Sequence, residues 1–116
     1  MAKITPKLER HVYVSGTLTT SSGGTPFYPR QAMHIKSAKA TLQVAPSGSG
    51  STVVNLIKNG DASDIVYAAT FSAGTTSVSL STEATITADT KLSIDVSSVA
   101  GGSAGTDLIF SFTYHN

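Results

Sequence analysis

Residues 53–71 read Val-Val-Asn-Leu-Ile-Lys-Asn-Gly-Asp-Ala-Ser-Asp-Ile-Val-Tyr-Ala-Ala-Thr-Phe. The pair Asn59-Gly60 lies between two apolar runs, and a type I′ turn requires positive φ at both central residues, which Asn and Gly tolerate best. The stretch therefore predicts a β-hairpin that joins Val53–Ile57 to Ile65–Phe71. On the return strand we expect one face to carry Ile65, Tyr67, Ala69 and Phe71.

Downstream of this hairpin the apolar residues alternate with polar ones, as in half-buried strands. Lys91–Ser97 and Asp107–Tyr114 are both predicted strands. Their inward residues are Leu92, Ile94 and Val96 in the first, and Leu108, Phe110, Phe112 and Tyr114 in the second. A shorter strand is predicted over Thr75–Leu80, and a helical turn over Glu83–Ile86.

The first hairpin strand, over Thr52–Lys58, is apolar on both faces, as a central strand would be. Upstream of it two further strands are predicted. Arg10–Thr20 has Gly16 as a bulge or kink. Met33–Val44 changes the parity of its apolar residues midway, so it requires a β-bulge near Lys36-Ser37.

These elements predict an all-β fold, an antiparallel β-sandwich of about seven to eight strands with a flexible N-terminal arm. Residues 1–9 are the predicted arm and residues 10–116 the predicted domain. Two packed sheets are expected because each sheet has one apolar face to bury. The Gly- and Ser-rich segments 45–51 and 100–105 are predicted to be loose loops. In the loop before Met33, Phe27 is expected to plug the core, whereas Tyr28 suits either core or contact surface.

The composition agrees with this fold and excludes several functions. Ser and Thr number 33 of 116 residues, and charged residues are only 13%, which suits pleated surfaces covered by small hydroxyl side chains. Cysteine is absent, so disulfides and thiolate chemistry are excluded. No apolar run is long enough to span a bilayer, and the first residues lack the apolar core of a signal peptide. We therefore expect no membrane partner and synthesis in the cytoplasm.

Charge is unevenly distributed along the chain. Residues 1–39 carry six cations against Glu9 alone, and residues 40–116 carry two lysines against six acids. This asymmetry could orient the domain on an acidic partner or on a second copy of itself. The cations are dispersed rather than clustered with aromatics, so nucleic acid is not an expected partner.

The sequence contains no recognisable reaction centre. His11, His34 and His115 have no metal-ligand spacing, and no serine lies in a nucleophile motif. Asp61 and Asp64 are explained by the turn beside Gly60, since the rest of a calcium loop is missing. We predict that the protein is not an enzyme and has no catalytic residues, no metal and no cofactor.

The order of these motifs resembles a known module. They are Val14-Ser-Gly-Thr-Leu18, Pro26-Phe-Tyr28, the run from Ile35 to Pro46, Val54-Asn-Leu-Ile-Lys-Asn-Gly60, Phe71-Ser-Ala-Gly-Thr-Thr76, Leu92-Ser-Ile-Asp-Val96 and Gly105-Thr-Asp-Leu108. Together they resemble the small β-sandwich structural module of tailed-bacteriophage virion proteins. That module occurs at the ends of tail and fibre proteins and in short stand-alone structural proteins.

The resemblance implies a virion structural role. A short stand-alone copy looks most like a capsid decoration, or cement, protein, which binds the outer shell and stabilises contacts between major capsid subunits, commonly as a trimer. The expected partners are the major capsid protein and other copies of the chain. The residues expected at the shell interface come from the arm and from nearby basic or aromatic positions: Lys3, Ile4, Lys7, Leu8, Arg10, Tyr28, Arg30, Lys36 and Lys39.

Two other virion roles stay open at this point. A tail-tip or tail-fibre module would bind host surface glycans through exposed aromatics and amides, for which Phe27, Tyr28 and Asn59 are the candidates. A tail or head–tail connector subunit would instead form six-fold or twelve-fold rings.

Overall fold

A computed structural model describes residues 8–20 and 26–115, and within them the protein is all-β, with eight strands and no helix. The strands form two antiparallel sheets that pack face to face, which confirms the predicted β-sandwich. Their bounds are β1 Leu8–Thr17, β2 Met33–Val44, β3 Ser51–Lys58, β4 Asp61–Ser72, β5 Ser77–Leu80, β6 Ala84–Ile86, β7 Leu92–Ser98 and β8 Thr106–His115.

The larger sheet has the order β1-β8-β2-β5, and β6 also pairs with β2 beyond the end of β5. The smaller sheet has the order β4-β3-β7, so β3 is its central strand, as its two apolar faces predict. The side chain of Tyr67 on β4 donates a hydrogen bond to the carbonyl oxygen of Thr82, 2.5 Å away, and so joins the two sheets at one side.

The core lies between the sheets and consists of the inward residues of the alternating strands. On β7 and β8 the predicted inward residues are buried, except that Tyr114 is only half-buried at the end of its strand. The largest fully buried side chains include Phe71 from the smaller sheet and Phe110 and Phe112 from the larger one. Aromatic side chains bury large areas, so these three supply much of the hydrophobic stabilisation of a small core.

Both predicted irregularities of the larger sheet are present. Gly16 has a φ of 84°, and the pairing of β1 with β8 shifts between Val14 and Thr17. On β2, Ile35 pairs with Tyr114 and Ser37 with Thr113, so Lys36 is the inserted residue of a bulge. This insertion restores the parity that places Ala38, Ala40 and Leu42 in the core.

The Asn59-Gly60 turn is confirmed, because φ is 59° at Asn59 and 69° at Gly60. The predicted facing of Ile65 is wrong. Leu56 pairs with Tyr67 but Ile57 pairs with Ile65, so Val66 is an extra residue in a β-bulge. Because one inserted residue moves the preceding side chains to the opposite face, Ile65 points outward and is 46% exposed.

The helical turn predicted over Glu83–Ile86 is also wrong. Ala84–Ile86 forms β6, in which Ile86 is opposite Met33 and both are buried. Three residues are too few for periodicity to distinguish a helix from a strand, and pairing with β2 decides the outcome. The first strand differs only at its bounds, since it begins at Leu8 and ends at Thr17.

The two Gly- and Ser-rich loops, 45–51 and 100–105, are joined rather than independent. Ser47 and Ser103 form an antiparallel bridge, the amide of Gly102 donates to the carbonyl oxygen of Ser47, and the amide of Gly101 donates to that of Ser49. The buried Thr52 hydroxyl adds two bonds, since it donates to the carbonyl oxygen of Ala104 and accepts from the amide of Ala100. We call this arrangement the loop clasp.

The clasp marks one end of the sandwich, here called the distal end. The opposite, proximal end carries the start of β1, the end of β8, loop 26–32, the Asn59-Gly60 turn and loop 87–91. These segments are held together by the bridge from Phe27 to Leu92 and by backbone bonds from the Asn59 amide to Lys91 and from the Asp89 amide to Pro29.

Candidate functional site

Four of the residues expected at a partner interface lie together at the proximal end. Leu8, Arg10, Tyr28 and Arg30 line one open depression of about 290 Å³. The other residues of its lining are Pro29, Gln31, Met33 and Tyr114. The structure therefore brings together residues from both ends of the described chain and from loop 26–32, and we call this surface the Arg10–Arg30 depression.

The strand register explains why these residues meet. Leu8 is opposite Tyr114 on β8, and Tyr114 is opposite Ile35 on β2, so the ends of three strands lie side by side. Loop 26–32 enters β2 at the same end, which places Tyr28 and Arg30 next to the start of β1. The sequence alone does not indicate Met33 and Tyr114 as part of this surface, because Tyr114 is predicted to face the core and Met33 is predicted only as the start of a strand.

Phe27 anchors the loop that carries Tyr28 and Arg30. Its ring is buried, as expected for a plug of the core, and it stacks on Phe112 with 5.8 Å between ring centroids. Its amide and carbonyl groups both bond to Leu92 on β7. Tyr28, the next residue, is 54% exposed. The loop thus presents an exposed aromatic side chain from a fixed backbone.

Arg10 is positioned by the same ring. Its guanidinium carbon lies 4.2 Å from the centroid of the Phe27 ring, within the range of a cation–π interaction. Within residues 8–20 and 26–115, neither Arg10 nor Arg30 forms an ion pair. The depression therefore combines two guanidinium groups that lack an acidic partner in the described part of the chain with aromatic and aliphatic side chains.

The remaining residues of the predicted interface lie elsewhere. Lys3, Ile4 and Lys7 are outside the described residues. Lys36 is on the bulge of β2, where its Nζ donates to Oε1 of Glu83 at 2.9 Å. Lys39 is on the outer face of the larger sheet and is opposite Ser111 and Ser79. Lys36 and Lys39 are therefore not part of the Arg10–Arg30 depression.

The charge asymmetry of the sequence does not become a separation of charge in space. The Asn59-Gly60 turn and loop 87–91 return acidic residues to the end that carries Arg10 and Arg30. The proximal end holds five described cations and five acids: Arg10, Arg30, Lys36, Lys58 and Lys91, with Glu9, Asp61, Asp64, Glu83 and Asp89. At the distal end, segments 43–52, 73–76 and 99–106 contain no charged residue, and the carboxylate next to them is that of Asp107, which accepts a hydrogen bond from the Gly16 amide.

Hydrogen bonds and ion pairs lower the pKa of two acids at the proximal end. The Lys36 ammonium donates a hydrogen bond to Glu83 and attracts its charge, which lowers the pKa of Glu83 below its ordinary value. The hydroxyl and amide of Ser63 both donate to Oδ1 of Asp61, which lowers the pKa of that carboxyl group in the same way. Both acids are therefore charged at neutral pH and serve as local structural contacts.

His34 and His115 face each other across β2 and β8, with 5.1 Å between their ring centroids. The sequence does not reveal this pair, because the two residues are brought together only by the register of the larger sheet. Among residues 8–20 and 26–115 there is no group of three or more His, Cys, Asp or Glu that could hold a metal ion.

The fold leaves two of the three candidate residues for glycan binding exposed. Phe27 is buried, so it cannot stack on a sugar ring, and Tyr28 and Asn59 are the two that stay exposed. In the same described ranges, no helix is long and apolar enough to cross a membrane.

Comparisons with known proteins identify the fold. No family model and no curated protein matches the sequence. A chain of the acid-stable capsid structure of Helicobacter pylori bacteriophage KHP30 matches with a TM-score of 0.65 and 9% identity, over 97% of this chain and 94% of that one. A chain of the cyanophage Pam1 capsid asymmetric unit matches with a TM-score of 0.62 and 20% identity, over 99% and 89%.

A third similar structure comes from outside phages. The Drosophila NLP core, described in terms of pentamer formation and histone binding, matches with a TM-score of 0.57 and 12% identity, over 96% of this chain and 98% of that one. All three identities are low, so these likenesses concern the fold of the chain. In each case the match extends over nearly the whole of both chains.

Proposed function

We propose that the protein is a structural component of a bacteriophage virion, and that it acts as a decoration protein on the outer surface of the capsid. The observation that carries this proposal is the match, over almost the full length of both chains, to chains from two phage capsid structures. It agrees with the resemblance of the turn and strand motifs to the virion module.

The proposed mechanism is additive and needs no reaction. Each copy would bury a modest contact area against the shell, and many copies would together stabilise the contacts between major capsid subunits. A β-sandwich with two packed sheets and with its loops joined in the clasp suits this task, because a rigid module loses little conformational entropy when it binds. The proposed partners are the major capsid protein and further copies of the chain, with a trimer as the expected assembly.

We place the shell contact at the proximal end. Leu8, Arg10, Tyr28 and Arg30 lie there together, and Lys3, Ile4 and Lys7 come shortly before β1 in the sequence. Lys39, on the outer face of the larger sheet, and Lys36, paired with Glu83, are not required for this contact. The distal end, which carries the loop clasp, would face away from the shell.

Co-sedimentation with particles that lack the protein tests this proposal. Added protein should pellet with such particles, and deletion of residues 2–7, which leaves β1 whole, should weaken binding. Val44→Ser, an exposed change at the distal end, is the matched control and should bind as the natural chain does. The proposal would be contradicted if the natural chain did not pellet with the particles. It would also be contradicted if the deletion variant bound undiminished while Val44→Ser lost binding.

A further inference from the structure

We infer that the Arg10–Arg30 depression is a receptor for an extended acidic segment of a partner protein, one that pairs a carboxylate with a neighbouring apolar side chain. This inference deepens the proposed function, on which it rests, by naming the chemistry of the contacted segment. Its first support is the pair of guanidinium groups, which have no acidic partner in residues 8–20 and 26–115.

The second support is the position of the Arg10 side chain. Its contact with the Phe27 ring holds the guanidinium at the rim of a buried aromatic stack. A guanidinium that is fixed before binding loses less rotamer entropy when it forms a bidentate pair with a carboxylate. Arginine also matches the planar carboxylate better than lysine does.

The third support is the apolar part of the lining. Leu8 and Tyr28 are exposed and Tyr114 is half-buried beside them. Pro29 and the buried Met33 complete the apolar lining. Tyrosine and arginine, like tryptophan, are enriched among the residues that contribute most to binding at protein interfaces. Such a surface can accept a leucine or phenylalanine next to the acid, so it fits a peptide better than a free inorganic anion.

The charge around the depression argues against nucleic acid. The proximal end balances five described cations with five acids, and the amide of one of these acids, Asp89, donates to the carbonyl oxygen of Pro29 in the lining of the depression. A phosphate backbone carries a continuous run of negative charge and is bound by surfaces with a clear excess of Lys and Arg. A single acidic side chain needs only the two arginines.

The probe is a capped hexapeptide, Gly-Asp-Leu-Glu-Phe-Gly, titrated into the ¹⁵N-labelled full-length protein and followed by NMR. The control peptide replaces Asp and Glu by Asn and Gln. The Nε–Hε signals of Arg10 and Arg30 should shift with the acidic peptide and not with the amide peptide. Arg30→Gln should raise the Kd about tenfold, as loss of a charge-assisted hydrogen bond does.

Matched variants keep the result interpretable. Arg10→Gln could disturb the Phe27 stack, so Arg10→Lys, which keeps the charge without the bidentate fork, is measured beside it and should also weaken binding. Lys39→Gln lies outside the depression and should leave the Kd unchanged. Equal Kd values for the two peptides would overturn the inference. So would a lower Kd for a duplex oligonucleotide than for the acidic peptide, or an effect of Lys39→Gln on the Kd equal to that of Arg30→Gln.

Shell binding separates this inference from the proposed function. If the natural chain pellets with particles and Arg10→Gln/Arg30→Gln pellets equally well, the inference fails and the function stands. If the acidic peptide binds the depression as expected but the natural chain does not pellet with the particles, the proposed function fails and the acidic-segment receptor stands.

Discussion

The guanidinium carbon of Arg10 lies 4.2 Å from the centre of the Phe27 ring, and that ring is stacked on Phe112 in the core. A charged residue of the candidate contact surface is thereby joined to the hydrophobic core through one aromatic side chain. The same ring anchors loop 26–32, so stability of the fold and the shape of the contact surface depend on the same residue.

Phe27→Ala should lower the free energy of unfolding by about 3–5 kcal/mol, because it removes a buried ring and leaves a cavity beside Phe112. Phe27→Leu fills more of the space and should cost less than about 2 kcal/mol. Urea denaturation measures both. Tyr28→Ala, at the exposed next position, is the control and should change stability by no more than about 0.5 kcal/mol. Equal effects at the two positions would refute the anchoring role of Phe27.

The loop clasp depends on glycine because two backbones approach closely. A Cβ atom at Gly48 would lie 2.4 Å from the amide nitrogen of Gly102, and Gly48 has a φ of 90°. Gly48→Ala should therefore cost about 2–4 kcal/mol, the sum of backbone strain and overpacking. Gly50 has a φ of 77° with open space around it, so Gly50→Ala should cost only about 1–2 kcal/mol. The thermal or urea midpoints of the two variants are compared. Similar losses of stability in both would exclude a steric contribution at Gly48.

The buried hydroxyl of Thr52 links the smaller sheet to the clasp. It donates to the carbonyl oxygen of Ala104 at 2.8 Å and accepts from the amide of Ala100 at 3.1 Å. Thr52→Val keeps the shape but leaves both backbone groups without a partner, so it should cost about 2–4 kcal/mol. Thr52→Ser keeps both bonds and should lose only about 1 kcal/mol with its methyl group. Equal stability of the Val and Ser variants by urea denaturation would contradict this assignment.

Low pH should reduce the stability of the fold partly by protonating Glu83. Because the Lys36 hydrogen bond lowers the folded-state pKa of Glu83 below its unfolded value, the contribution to stability is present above the unfolded pKa. It is lost as the pH falls through the folded pKa. Glu83→Gln should therefore flatten the dependence of the urea midpoint on pH between about 5 and 3. The effect will be small, since the pair is exposed.

Lys36→Gln provides the matched test of this pair. It removes the largest cause of the lowered pKa of Glu83 and should flatten the same part of the pH profile, and the double variant should show no further change. An unaltered pH profile in Glu83→Gln, or additive effects in the double variant, would show that the two side chains are not coupled.

Much of the fold could be predicted from the sequence, because alternation and turn chemistry are local. The Asn59-Gly60 turn requires no distant information, and the bulge at Lys36 follows from a change of parity within β2. The facing of Ile65 could not be predicted, because Ile65, Val66 and Tyr67 are all apolar and the pattern does not show which of them is inserted. Only the pairing of β3 with β4 reveals that it is Val66. Likewise β6 exists because Ile86 meets Met33, a contact between residues 53 positions apart.

The candidate site was predictable only in part, for a related reason. Residue type indicated Leu8, Arg10, Tyr28 and Arg30, and the fold brings these four together. Residue type also indicated Lys36 and Lys39, but the first is opposite an acid from another segment and the second faces outward on the larger sheet. The sequence carries no information on which acid will neutralise a given lysine until the strands pair.

Cryo-EM of the purified virus particle tests directly whether the protein decorates the capsid. We expect density for this sandwich on the outer surface of the capsid, with the Arg10–Arg30 depression against the major capsid protein and the loop clasp pointing away. Density on the tail, contact through the clasp instead of the depression, or particles without the protein would contradict it.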